Sequence, residues 1–184
     1  ALDGVEEAEI VDTMRALQHA GAATDVISAR RGKIQAFRHH APAQMIRVDK
    51  TFDEVTPDQY DALLLPGGAL NADTLRMLPR AQAFVRAFDS ASKPIALICH
   101  APWLLVSAGL VKGRTLTSFS TMQDDIKNAG GRWVDEPVVV DGNVLSSRTP
   151  DDLPQFNEHM LRLFAHTTVP AQHRTGSGQP ASVT

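Results

Sequence analysis

The run Lys93-Pro94-Ile95-Ala96-Leu97-Ile98-Cys99-His100-Ala101-Pro102-Trp103 restricts the fold more than any other stretch of the chain. The apolar residues Ile95–Ile98 are too few for a helix and show no polar alternation, which fits a parallel strand covered on both faces. Pro102 suits the first turn of a helix, where a missing N–H costs nothing. Cys99 then sits at the carboxyl end of a strand and at the start of a helix, the edge where ligands bind in open α/β sheets. The helix start offers unpaired N–H groups and partial positive charge, which favour a thiolate over a thiol. A lone cysteine is often just a small buried apolar side chain. The strand–Cys–His–x–Pro–helix context instead predicts a reactive nucleophile on an elbow.

A second stretch points to the same edge. In Leu63-Leu64-Leu65-Pro66-Gly67-Gly68 a buried strand meets a forced turn. Glycines there let bare backbone N–H groups approach a ligand. Pro-Gly-Gly makes a plain turn anywhere; beside a strand–Cys–helix elbow, Gly67 and Gly68 become oxyanion-hole candidates.

Between these landmarks strands and helices alternate, which predicts an α/β sandwich with a mainly parallel sheet. The start, Ala1-Leu2-Asp3-Gly4, reads as the end of a strand followed by a Gly turn. On that reading most of a first strand lies ahead of Ala1. Ile10, Met14 and Leu17 recur at helical spacing, with Gly21 as the stop. Glu6, Glu7 and Glu9 crowd the first turn of that helix, where acids usually complement the dipole; the alternative is that one turns inward to share a proton with a nucleophile. Residues 24–29 read as a strand, 30–50 as irregular with a short strand at 45–48, and 56–59 as a capped turn. Helices are expected over 71–76, 80–90, 121–129 (with Thr121 as cap) and 151–165. Short strands are expected at 115–118, 133–134, 138–140 and 144–146, with Asp141-Gly142-Asn143 as a hairpin turn. The adjacent pair His39-His40 is poorly placed to share a metal, because neighbours in a strand point apart. Residues 1–166 form one expected domain, and 167–184, rich in Pro, Gly, Ser, Gln and Thr, an expected flexible tail.

Composition excludes several function classes. The chain has 184 residues and a net charge of -3, with basic residues scattered and no basic stripe carrying interleaved aromatics, so no nucleic-acid partner is expected. No apolar run approaches a membrane span, and no signal peptide is visible. One cysteine rules out an internal disulfide framework and a Cys-rich zinc site, and points to a reducing, cytoplasmic setting. No metal and no cofactor is expected.

The ordered set Gly-Val-Glu-Glu-Ala-Glu, Leu-Leu-Leu-Pro-Gly-Gly, Ile-Cys-His-Ala-Pro, Thr-Ser-Phe, Asp-Asp-Ile-Lys-Asn-Ala-Gly, Val-Val-Asp-Gly-Asn and Ser-Ser-Arg-Thr-Pro resembles the DJ-1/PfpI superfamily, and within it the PfpI-like intracellular protease and general stress protein branch. The resemblance runs from about Asp3 to Phe164. It implies a flavodoxin-like three-layer sandwich, related to class I glutamine amidotransferases, with Cys99 as elbow nucleophile. It implies that an acid of the first helix, Glu9 by motif position with Glu6 as neighbour, hydrogen-bonds the thiol. A protonated carboxyl in that role needs a pKa raised by burial. It also implies that His100 pairs with an acid from a second copy, for which Asp73 is the best match, so a homodimer or larger homo-oligomer is expected. The oxyanion donors would be the N–H groups of Gly68 and His100. Ala101 stands where the branch usually has Gly, and Phe119, on the substrate rim, where relatives often have Tyr. Arg148-Thr149-Pro150-Asp151 lacks the His-x-Glu of glutamine amidotransferases, so ammonia transfer from glutamine is not expected.

Three activities fit these residues. The first is a stress-protective, cysteine-dependent enzyme acting on reactive carbonyls, glyoxalase- or deglycase-like, in which His100 or Glu9 moves a proton between adjacent carbons. The second is a cysteine peptidase, ranked lower because a histidine adjacent to its cysteine is not expected to reach the same sulfur. The third is a non-enzymatic redox sensor through oxidation of Cys99, with no second thiol to resolve it. Nothing in the sequence supports a holdase.

Overall fold

The computed structural model describes residues 1–167. The tail expected over 167–184 lies outside them, apart from Thr167, the last residue of the final helix. In chain order the elements are β1 (Val5–Glu6), α1 (Glu7–His19), β2 (Ile27–Ser28), β3 (Gly32–Arg38), β4 (Ala41–Val48) and β5 (Lys50–Thr51). They continue with β6 (Leu63–Leu65), α2 (Ala69–Leu75), α3 (Pro79–Ser90), β7 (Ile95–Ile98), α4 (Pro102–Ala108) and β8 (Thr115–Leu116). The chain closes with α5 (Gln123–Asn128), β9 (Arg132–Trp133), β10 (Val138–Asp141), β11 (Val144–Ser147) and α6 (Leu153–Thr167).

The result is the expected flavodoxin-like α/β sandwich. The strand order β10-β11-β7-β6 puts β7 at the centre of a sheet in which β6, β7 and β11 run parallel and only β10 is antiparallel. All four residues of β7 are buried because helices cover both faces. On one side α1 and α6 pack together, with Leu17, Phe156 and Met160 meeting Ala96 and Ile98. On the other, α3 and α4 bring Phe84, Val85, Phe88, Leu104 and Leu105 against Ile95 and Leu97. Alternate residues of one strand thus feed two separate cores, which is why the run Ile95–Ile98 has no polar member.

A short strand, β1, follows the Gly4 turn and pairs in parallel with β3. Three local readings are corrected. Residues 30–50 are a β-hairpin of β3 and β4, not an irregular segment. Its signal is period two, with Ile34 and Ala36 buried between exposed Lys33 and half-buried Gln35, and it turns at His39, whose φ is 55°. Thr121 does not cap α5: a short turn, Ser120–Met122, precedes the helix and Met122 holds the cap position without a side-chain bond. Strand 115–118 stops at Leu116 because the next residues bond elsewhere. Thr117 N–H donates to Ser146 Oγ at 3.0 Å and Phe119 N–H to the Cys99 carbonyl at 3.0 Å. That second bond ties the rim of the site to the elbow.

Candidate active site

Cys99 is one of three non-glycine residues with positive φ among the described residues, at 62°. Such a conformation costs about 1–3 kcal/mol and persists only where the surroundings over-determine it. Here they do. Cys99 N–H donates to the Ser147 carbonyl at 3.1 Å, its carbonyl accepts from Phe119, and Ala101 N–H donates to the Ile98 carbonyl at 3.1 Å. Ala101 itself lies at φ -55°, ψ -30°, an ordinary right-handed conformation in which its methyl group causes no strain.

Helix α1 delivers Glu9 under this elbow. The side chain is wholly buried, its Oε2 accepts the Gly67 N–H at 2.7 Å, and Oε1 is buried with no hydrogen-bond partner. Burial is the main force on its proton and pushes the pKa up to about 8; the Gly67 N–H opposes this, and the charge of Glu6 adds to it. The carboxyl also couples to the Cys99 thiol. The thiol is pushed up, first by burial and then by a charged Glu9, while the N–H groups of Gly68 and His100 pull it down. Desolvation is thus the largest influence on the thiol, set against the backbone N–H groups at the turn into α4. A proton on Glu9 removes the like charge and restores a donor for the sulfur.

The Pro66-Gly67-Gly68 turn admits no side chains. A Cβ on Gly67 would stand 2.6 Å from Cys99 Cβ and 2.7 Å from Glu9 Oε2, and one on Gly68, at φ 86°, would stand 2.2 Å from the Gly4 carbonyl oxygen. Asn71, fully buried on α2, holds this turn from behind. Its Nδ2 donates to the carbonyls of Pro66 and Gly67 at 3.0 and 2.9 Å, and its Oδ1 accepts Leu2 N–H at 2.7 Å. Sequence reasoning missed Asn71, whose partners are backbone groups of Leu2 and of the Pro66-Gly67 turn that no spacing signals.

His100 Nδ1 lies 3.1 Å from Cys99 Sγ. The expectation that adjacency would keep the ring from the sulfur is overturned, because the left-handed Cys99 breaks strand alternation. The imidazole stacks on Phe119 (centroids 4.7 Å apart, planes at 25°) and leans on Trp103 at 5.3 Å. Burial lowers its pKa, favouring the neutral ring. Arg76 lies over Trp103 at 5.4 Å and donates to Ser107 Oγ at 2.9 Å, fixing that indole from outside.

The remaining acids are dispersed. Glu6 is buried and its Oε2 accepts His39 N–H at 3.0 Å, so it anchors the β3–β4 turn and reaches the site only through its charge. Glu7 pairs with Arg38. Asp73 is exposed on α2 and is not brought to His100 within the chain. Among the described residues no group of three or more His, Cys, Asp or Glu could hold a metal ion. No helix among them is long and apolar enough to cross a membrane.

The DJ-1/PfpI family pattern matches residues 1–163. The chain belongs to the DJ-1/PfpI family. Among its relatives is Deglycase TK1284 of Thermococcus kodakarensis, 42% identical over 88% of this chain and 95% of that one. Protein/nucleic acid deglycase 2 of Escherichia coli is 42% identical over 88% of this chain and 93% of its own. The crystal structure of Drosophila melanogaster DJ-1beta superposes with a TM-score of 0.80 at 28% identity, over 91% of this chain and 87% of that one. In this DJ-1/PfpI chain Arg148 donates to Asp152 at 2.9 and 3.0 Å and to Asp135 at 2.8 Å.

Proposed function

We propose that this protein is a cysteine-dependent enzyme acting on reactive carbonyls, glyoxals and freshly glycated amines or thiols, with Cys99 as nucleophile. The observation that carries the reading is the left-handed Cys99 held against a buried carboxyl with a raised pKa, with two backbone N–H groups aimed at the sulfur. The deglycase names of the Thermococcus and Escherichia relatives support it.

The chemistry needs a nucleophile and one movable proton. Sγ adds to the aldehyde carbon of methylglyoxal as its proton leaves through His100 Nδ1 to solvent, and the carbonyl electron pair moves to oxygen, which takes the proton from Glu9 to give a hemithioacetal. With a glycated amine the same C–S bond forms as the C–N bond breaks, and the amine leaves with a proton. Neutral His100, or Glu9 once ionised, takes the C–H proton of that carbon and returns a proton to the neighbouring carbonyl carbon. One carbon rises to the acyl level as its neighbour falls to the alcohol level, so no external oxidant is required. Water then cleaves the thioester, releasing the 2-hydroxy acid and the thiol. The N–H groups of Gly68 and His100 stabilise the developing oxyanion.

The test is lactate formation from methylglyoxal in thiol-free buffer. Turnover by the native chain and none by Cys99→Ala is expected. No lactate from a native chain whose Cys99 is still rapidly alkylated at neutral pH would overturn the reading. A second reading, cysteine peptidase, is favoured by one contact, the 3.1 Å approach of His100 Nδ1 to Sγ. It requires an acid for the far side of the ring, with Asp73 of a second copy as the candidate, and so requires a homo-oligomer.

A further inference from the structure

His100 faces the sulfur without a hydrogen-bonded partner to orient it. Its Nδ1 lies 3.1 Å from Cys99 Sγ, and among the described residues nothing hydrogen-bonds its Nε2. In a histidine base the bond made by one ring nitrogen ordinarily fixes what the other can do. The torsion that rotates an imidazole is soft and roughly two-fold, and a flip about it would set carbon instead of nitrogen against the sulfur. Ring contacts hold the imidazole in place of a hydrogen bond. Phe119 stacks on it at 4.7 Å with the planes at 25°, and Trp103 closes the slot at 5.3 Å with the planes at 54°.

Trp103 is itself held from its other side. Its indole N–H is buried and finds no acceptor, so no hydrogen bond anchors the ring. The Arg76 guanidinium lies over it at 5.4 Å, and Arg76 Nε–H donates to Ser107 Oγ at 2.9 Å. Trp103 and Ser107 stand one turn apart on the same face of α4, so a single guanidinium spans both. The Arg76 backbone is fixed in turn: its N–H donates to the Ala72 carbonyl at 3.0 Å, and its carbonyl accepts Gln82 Nε2 at 2.7 Å. Among the described residues no carboxylate pairs with this cation.

We propose that Arg76 and Trp103 are positioning residues of the active site. The guanidinium pins the indole, and the indole and Phe119 together form a slot that keeps His100 Nδ1 on the sulfur. The cation is attracted to the face of the indole, and a planar, permanently charged guanidinium suits a stacked place better than an ammonium does. Helix α2 and its last cap residue thus support two parts of the site, the Gly67 turn through Asn71 and the base through Arg76. This role rests on His100 taking the Sγ proton in the proposed carbonyl chemistry, whatever the identity of the carbonyl compound.

Alkylation of Cys99 by iodoacetamide at neutral pH reads the thiol without any substrate. His100→Ala is expected to slow it about tenfold, and Arg76→Met, which removes the cation and keeps the stem, about fivefold with an unchanged circular dichroism spectrum. The double variant is expected to react no more slowly than His100→Ala alone, because Arg76 acts through the imidazole. Arg76→Lys keeps a cation over the indole and is expected to recover part of the loss. Trp103→Phe probes the same slot from the ring side and is expected to slow alkylation about twofold, again only where His100 is present. In lactate formation Arg76→Met is expected to lower kcat about fivefold with KM within about twofold. Native-like alkylation in both Arg76→Met and Trp103→Phe would overturn the proposal. So would an equal slowing by Arg76→Met with and without His100, or a Lys variant no faster than the Met variant. No lactate from the native chain, with the alkylation series as expected, would overturn the substrate reading and uphold this one.

Discussion

Replacing Glu9 by Gln tests the proton that the site is built around. In the folded chain burial pushes the Glu9 pKa from 4.5 up to about 8. A folded-state pKa raised above the unfolded value means that the carboxyl is tolerated fully below about pH 4.5. Its ionisation then costs the fold increasingly as pH climbs toward 8, at about 1.4 kcal/mol per pH unit. The cost is roughly 0.7 kcal/mol near pH 5, about 4 kcal/mol near pH 7.5, and about 5 kcal/mol once ionisation is complete. Gln is isosteric: its amide oxygen keeps the Gly67 N–H, its NH₂ replaces the O–H donor, and it does not titrate. Urea unfolding of both chains at about pH 5 and about pH 7.5 isolates the effect, because every other titrating group is common to both and cancels. The stability gap should move by about 3 kcal/mol in favour of Glu9→Gln between the two conditions, with the urea slope unchanged. A gap that moves by less than about 1 kcal/mol, or moves the other way, would show that Glu9 ionises freely in the folded chain and refute its role as a proton donor to sulfur.

Three further substitutions bear on the same site. Gly68→Ala places a methyl group 2.2 Å from the Gly4 carbonyl oxygen at φ 86°, so a loss of at least about 3 kcal/mol in urea unfolding is expected, with slowed alkylation of Cys99. Phe119→Ala removes the ring stacked on His100, worth about 1 kcal/mol, and admits water. Because burial is what lowers the His100 pKa, the imidazole titration followed by NMR should move upward in that variant. Asp73→Asn is exposed on α2 and should leave lactate formation unchanged while abolishing any peptide cleavage. A monomeric mass by light scattering would remove Asp73 from consideration as a partner for His100.

The parts of this molecule legible in the sequence are those whose physics is local. Ile95–Ile98 reads as a doubly covered strand because nothing polar can sit between two helical layers, and Pro102 marks the helix start because only a first turn tolerates it. The β3–β4 hairpin was hidden because Gly32 and the two histidines interrupt a segment whose period-two burial spans only Ile34 and Ala36. Beyond its own ladder it pairs with β1, which is distant in sequence. Asn71 was invisible for a related reason: its three bonds run to Leu2, Pro66 and Gly67, and no spacing rule connects them.

The reach of His100 shows where a sound local rule fails. In a strand, successive side chains point to opposite faces, so the thiol of Cys99 and the imidazole of His100 should diverge. That holds only while Cys99 keeps an extended backbone. At φ 62° the chain turns left-handed at the residue that follows β7, and sulfur and imidazole fall on the same side, 3.1 Å apart. The strain that makes this turn costly is held by bonds from Ser147, Phe119 and Ala101 around it. The elbow is therefore a property of β11 and the 117–119 segment as much as of β7. Weakening either should let Cys99 relax to an ordinary strand end, separating sulfur from imidazole without touching either residue.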